Sequence, residues 1–202
     1  MFKKYIGYLT DCFVRIISRS ASLYSENKKQ SRKGFSAAMT YFSTVGKELE
    51  DLFYLTILSR DLKAKIINKN KTLKLIAFLQ NKNGGFGRGR ESHLMATYHA
   101  LSILKILSLN FPNQEKIHHY LLERWENCDF LEDLFCIVES LALMRKPLPD
   151  VSKVIQFIDS CQRGNGGFGR APVMSIPTIE DTYRAVSIIK TCENYSRKTF
   201  LN

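Results

Sequence analysis

Two kinds of helical stripe alternate along this chain. Over residues 113–126, Ile117, Tyr120, Leu121 and Trp125 recur at three- and four-residue spacing with charges elsewhere. Val151, Val154, Ile155 and Ile158 repeat the pattern in a later helix. Such helices bury one face and show water the other. Between them, Tyr98, Ala100, Leu101, Ile103, Leu104, Ile106 and Leu107 surround their helix almost completely, as do Leu134 to Val138 with Leu141, Ala142 and Leu143. A helix that is apolar all round must be covered on both sides. The alternation predicts an outer and an inner wall of helices. No stretch keeps a period of two for long enough to make a strand, so the predicted class is all-α.

The elements follow from that pattern and from its breakers. Residues 1–27 hold a first amphipathic helix, with Tyr5, Tyr8, Leu9, Cys12, Phe13, Ile16 and Ile17 on its stripe. Four helical hairpins are predicted over 28–60, 71–109, 113–145 and 150–195, in one domain spanning 1–202. The first hairpin combines a helix from Phe35 to Ser43 with one from Asp51 to Arg60. Lys63, Lys65, Lys69, Lys71 and Lys74 form a basic connector into the second, whose outer helix ends near Gln80. The inner helices are predicted from Leu94 to Leu109, Asp133 to Met144 and Asp181 to Cys192.

The hairpins are copies of one another. Asn83-Gly84-Gly85-Phe86-Gly87-Arg88 returns letter for letter as Asn165-Gly166-Gly167-Phe168-Gly169-Arg170, an offset of 82 residues. Leu49-Glu50-Asp51-Leu52-Phe53 recurs as Leu131-Glu132-Asp133-Leu134-Phe135 at the same offset. Thr97-Tyr98 and Thr182-Tyr183 stand 85 apart, so the second loop is three residues longer. A period of 82 residues holds two hairpins of about 41 residues, inside the range of helical repeats.

Composition narrows the chemistry. The 202 residues carry a net charge of +11, which favours anionic partners or is simply the charge of the proteome. The lysines from 63 to 74 have no interleaved aromatic residues, so a single-stranded nucleic-acid platform is not expected. Cys12, Cys128, Cys136, Cys161 and Cys192 are odd in number and include no C-x-x-C pair. That argues against a disulfide framework and a zinc ribbon, and predicts a reducing, cytoplasmic setting. The residues before 25 carry four bases and one acid, as a transit peptide would, but their helical period reads as structure. No apolar run reaches the ~18 residues of a membrane span.

An outer helix ending Gln-x-x-Asn-Gly-Gly-Phe-Gly, a loop, and an inner helix opening Thr-Tyr resemble the repeat of protein prenyltransferase β-subunits and terpenoid cyclases. Gln80 to Arg88 with Thr97-Tyr98, and Gln162 to Arg170 with Thr182-Tyr183, carry the resemblance. It implies an α/α toroid of helical hairpins in two concentric layers. The family's closed rings use more hairpins than the four counted here. The ring is therefore predicted to be open, to close small, or to be completed by a partner or second subunit.

The resemblance implies an isoprenoid diphosphate as ligand. Glu91-Ser92-His93 is similar to the Glu-x-His that sets a histidine against the lipid diphosphate, so His93, Arg88 and Arg184 are the expected diphosphate-binding residues. Tyr98, Phe135 and Tyr183 are the expected lipid pocket. The zinc-binding pattern of the family is broken. Asp133-Leu134-Phe135-Cys136 places its thiol one residue late, and Asp181-Thr182-Tyr183-Arg184 has arginine where the family has histidine. Arginine offers no lone pair to a metal, so no cofactor is expected. Asp133 and Cys136 stay as the candidate catalytic groups, with transferase activity an open question. The alternative reading is a non-catalytic toroid scaffold for protein–protein interaction.

Several motifs also have plain structural readings. Glycine tolerates the left-handed turn that ends a helix, so the Gly-rich loops read as caps, or else as amides that bind an anion together with nearby arginines. Glu50-Asp51, Glu132-Asp133 and Glu180-Asp181 each precede or open an inner helix, where carboxylates complement the dipole. Tyr54, His99, Cys136 and Arg184 follow the inner-helix aromatics and are predicted to face one central cavity.

Overall fold

The computed structural model describes residues 49–61, 68–148, 150–173 and 176–199. The chain forms two compact units, Met1–Ile66 and Ile67–Asn202. The predicted helix over 1–27, the helix from Phe35 to Ser43, and Lys63 and Lys65 lie outside the described residues. In the first unit, helix α1 runs Leu49–Asp61. Glu50 and Asp51 occupy its first turn and Arg60 its last, so both ends match the helix dipole. Phe53 and Leu55 are buried and Tyr54 is exposed.

The second unit holds α2 (Lys69–Leu79), α3 (Leu94–Ile106), α4 (Gln114–Trp125), α5 (Leu131–Met144), α6 (Val151–Cys161) and α7 (Ile179–Thr199). The described residues contain no strand, only isolated bridges within the loops. The all-α prediction is correct. Helix α5 packs on α3 and α7, and also on α4 and α6. It therefore lies at the centre, and Leu134, Ile137, Val138 and Leu141 are all fully buried. Each such side chain contributes roughly 1.5–3 kcal/mol of apolar burial. Helix α4 buries only Ile117, Tyr120 and Leu121, and α6 only Val154, Ile158 and Cys161. These are the one-sided stripes of the outer wall.

Local chemistry sets the helix ends. Asn68 and Asp150 cap α2 and α6, each side-chain oxygen accepting two first-turn amides. Thr178 and Asp181 cap α7 reciprocally: the Asp181 amide donates to the Thr178 hydroxyl, which donates to the Asp181 carboxylate. Helix α3 stops at Ile106, short of the predicted Leu109. Ser108 turns left-handed (φ 55°) there, and the Leu109 amide reaches back to the Leu104 carbonyl at 2.8 Å. Arg145 does the same after α5 (φ 58°), with the Lys146 amide on the Leu141 carbonyl. Both are hydrogen-bonded left-handed caps built without glycine. Helix α5 starts two residues earlier than predicted, because the Leu131 amide is held by the Arg170 carbonyl of a neighbouring loop.

The two Gly-rich loops are the same object twice. The Asn81 amide donates to the Gly85 carbonyl, and Arg163 to Gly167. The Gly87 amide donates to the Leu79 carbonyl, and Gly169 to Cys161. The Phe86 amide donates to the Thr97 hydroxyl at 3.0 Å, and Phe168 to Thr182 at 3.2 Å. Each threonine hydroxyl then donates to a carbonyl one turn back, on His93 or Thr178. Phe86 and Phe168 are buried under their loops. The loops thus fasten each outer helix to the inner helix that follows. The amides of residues 84–87 and 166–169 all donate within the loops or to their flanking helices, as caps do.

Candidate functional site

Three inner helices present their aromatic residues in register. The rings of Tyr98 on α3 and Phe135 on α5 meet edge to face, with centroids 5.2 Å apart. Phe135 and Tyr183 on α7 follow at 6.3 Å. The residues predicted as a lipid pocket therefore form one continuous row. Phe135, in the middle, is buried, and Tyr183 is exposed. One turn further along each helix comes a polar row: Ser102, Glu139 and Ser187. Beyond it lie Lys105, Ala142 and Lys190, all exposed. On α7 this face is opposite the buried Ala185, Ile188 and Cys192.

Glu139 is the functional candidate that sequence reasoning missed. Burial raises its carboxyl above the usual range, and the Thr191 hydroxyl donates to it at 2.7 Å. Its signal was present: Glu139 is the only charged residue between Leu134 and Met144. The Tyr98 hydroxyl is pushed up to about 12, mainly by burial, with the nearby Glu139 adding to the shift and Ser102 opposing it.

Residues directly after the aromatic row turn aside instead of facing the same space. The Cys136 sulfur lies 3.8 Å from the Met95 sulfur on α3. Burial first, and then Glu132 and Asp133, hold this thiol far above its ordinary value. It is a packing group, kept protonated. Asp133 lies on the side of Tyr120 and Cys128, whose hydroxyl and thiol it helps to raise. His99 is buried, and that burial lowers its imidazole to about 4, so it is neutral near pH 7.

Arg184 is ringed by carboxylates. Its guanidinium lies 2.8 Å from Glu180, 3.1 Å from Asp181 and 3.4 Å from Glu132 on α5, with its side chain only 12% exposed. Arg170 adds a longer pair to Glu132 at 3.8 Å and stacks 4.8 Å over the Phe130 ring. By repeat position, Arg184 meeting Glu132 is the same contact as Cys136 meeting Met95. One seam of the inner wall is apolar and the next is ionic. Of the expected diphosphate ligands, Arg88 is exposed in the first Gly-rich loop and His93 is exposed at the N-cap of α3. Arg184 is drawn into this clamp on α7 instead.

The profile of the prenyltransferase alpha-alpha toroid domain matches residues 3–130 and again 130–200. The chain belongs to that family. Among the described residues, no helix is long and apolar enough to cross a membrane. Zinc, which the prenyltransferase resemblance implies, does not suit these donors. The Cys136 thiol faces Met95, and the three carboxylates converge on a guanidinium that already supplies the positive charge. Among the described residues, no three His, Cys, Asp or Glu side chains gather as a metal site.

A pH dependence follows from His99. Its folded value lies below the unfolded one, so the unfolded chain binds more protons between them. Stability is full above pH 6.5 and falls as pH drops from 6.5 towards 4. His99→Leu removes that contribution. The melting temperature of the parent is expected to fall relative to that of His99→Leu as pH drops from 6.5 towards 4; a constant difference would show that His99 titrates normally.

Proposed function

We propose that this chain binds an isoprenoid diphosphate and does so without zinc. The apolar tail lies along Tyr98, Phe135 and Tyr183, and the diphosphate is directed to His93 and Arg88. The continuous row of three rings on three successive inner helices carries this reading. A flexible apolar chain gains by covering aromatic surface, and at the exposed Tyr183 ring this removes water from both partners. His93 precedes Tyr98 by five residues, about 7 Å along a helix. That leaves the head group one short step from the strip. Thiol alkylation at a metal is not part of this function, because the thiol and the carboxylates are engaged elsewhere.

Calorimetric titration of the full chain with farnesyl and geranylgeranyl diphosphate tests the proposal. Saturable binding at micromolar ligand is expected, unchanged by a chelator. Tyr183→Ala is expected to weaken it about tenfold, a loss of about 1.4 kcal/mol. Tyr183 is exposed, so this change spares the core. Heat signals that never saturate with either diphosphate would end the proposal.

A further inference from the structure

The positive charge of this chain is unevenly placed. Residues 62–90 hold eight lysines and arginines and no acid, which accounts for most of the net +11. Helix α2 lies in this stretch. Thr72, Ile76 and Leu79 form its buried side. Lys71, Lys74 and Phe78 are exposed and recur at three- and four-residue spacing, so they share one face. Lys82 is exposed just past the helix end. None of these three lysines meets an acid among the described residues. Phe78, between them in sequence, is 83% exposed.

The repeat shows which side of the wall this face occupies. At a spacing of about 41 residues, Ile76, Ile117 and Ile158 take the same position in α2, α4 and α6, and all three are 0% exposed. Two residues further on, Phe78, His119 and Ser160 are all exposed. Two residues before, Lys74, Glu115 and Gln156 are exposed as well. The face is therefore the outside of the outer wall in each hairpin, turned away from the buried seam. On α4 it is acidic and on α6 neutral at these positions. Helix α2 alone sets an exposed phenyl ring among lysines.

We infer that α2 docks this chain on an anionic lipid surface, with Lys71, Lys74 and Lys82 against the head groups and Phe78 entering the boundary with the acyl chains. The charge selects an anionic partner. The shape selects a membrane among anions. The outside of a helix is convex and offers no groove for a strand, and one ring makes no stacking ladder for bases. A planar, yielding surface covers such a ring and relieves its contact with water. Lysine stems are long enough to keep their ammonium groups at the head groups while the ring descends. The inference does not rest on the aromatic row, which lies on the inner helices.

Co-sedimentation of the full chain with vesicles, with no isoprenoid present, tests this. Binding to phosphatidylcholine vesicles containing about 30% phosphatidylserine is expected, weakening in high salt, with little binding to phosphatidylcholine alone. Replacing Lys71, Lys74 and Lys82 together by glutamine should weaken it about a hundredfold, at about fivefold per lysine. A control chain with Lys116→Gln, Lys153→Gln and Lys190→Gln loses the same charge from other exposed positions and should bind within about twofold of the parent. Phe78→Ser should weaken binding about tenfold and leave the melting temperature unchanged, because the ring already faces water. Failure to sediment with the anionic vesicles at low salt would overturn the inference. So would equal losses from the two lysine triples, or a Phe78→Ser chain that binds like the parent. A labelled single-stranded oligonucleotide that binds through the same lysines while vesicles do not would also overturn it, in favour of nucleic acid.

Discussion

Gly84→Ala is expected to destabilise the protein by about 3 kcal/mol or more, whereas Gly166→Ala at the matching position should cost about 1–2 kcal/mol. Both glycines are left-handed, at φ 96° and 84°, so each substitution carries the conformational penalty. Only Gly84 adds a collision. Its Cβ would press on the Lys116 carbonyl group and the Ile117 amide, which are backbone and cannot swing away. Either α4 moves off the loop or the loop unwinds, and moving α4 also breaks the Gln80 to Asn113 hydrogen bond. Urea denaturation midpoints of the two variants measure the contrast. Equal losses would mean that α4 does not rest on Gly84.

Replacing Arg184 by methionine is expected to cost about 3 kcal/mol at neutral pH, because it leaves partly buried carboxylates without their counter-charge. Asp181 is the most affected, being 5% exposed. Glu132, Glu180 and Asp181 would then repel one another across the α5–α7 seam. Adding Glu132→Gln and Asp181→Asn should recover much of the loss, which a purely steric effect would not. Arg184→Lys should recover less, since one ammonium cannot span three carboxylates as a planar guanidinium does. Thermal melts of this series at fixed salt test the assignment. If the single and triple variants melt together, the loss is not electrostatic and the assignment fails.

Much of this was legible in the sequence because it is written in local period. The one-sided stripe of Ile117 and Leu121 and the all-round apolar run from Leu134 to Leu143 sorted the helices into walls before any coordinates. The repeated Asn-Gly-Gly-Phe strings located the loops, and the resemblance brought Tyr98, Phe135 and Tyr183 together. What the sequence hid depends on pairs from different helices. Arg184 looked like a phosphate ligand because its partner Glu132 lies 52 residues earlier, on α5. The sideways turn of Cys136 was recoverable: successive helical residues point about 100° apart. A side chain following one on the inner wall must therefore aim at the adjacent helix. Glu139 was overlooked because a single acid in an apolar run looks like noise until Thr191 is seen to hold it.

The unlike seams divide the molecule's tolerance to its surroundings. Sulfur against sulfur at Cys136 and Met95 is indifferent to acidity and ionic strength, while the arginine-and-acid knot at the α5–α7 boundary answers to both. High salt should therefore loosen the last inner helix first, with amide exchange on α7 quickening before that on α3. The second repeat would in this way keep a joint that its medium can slacken.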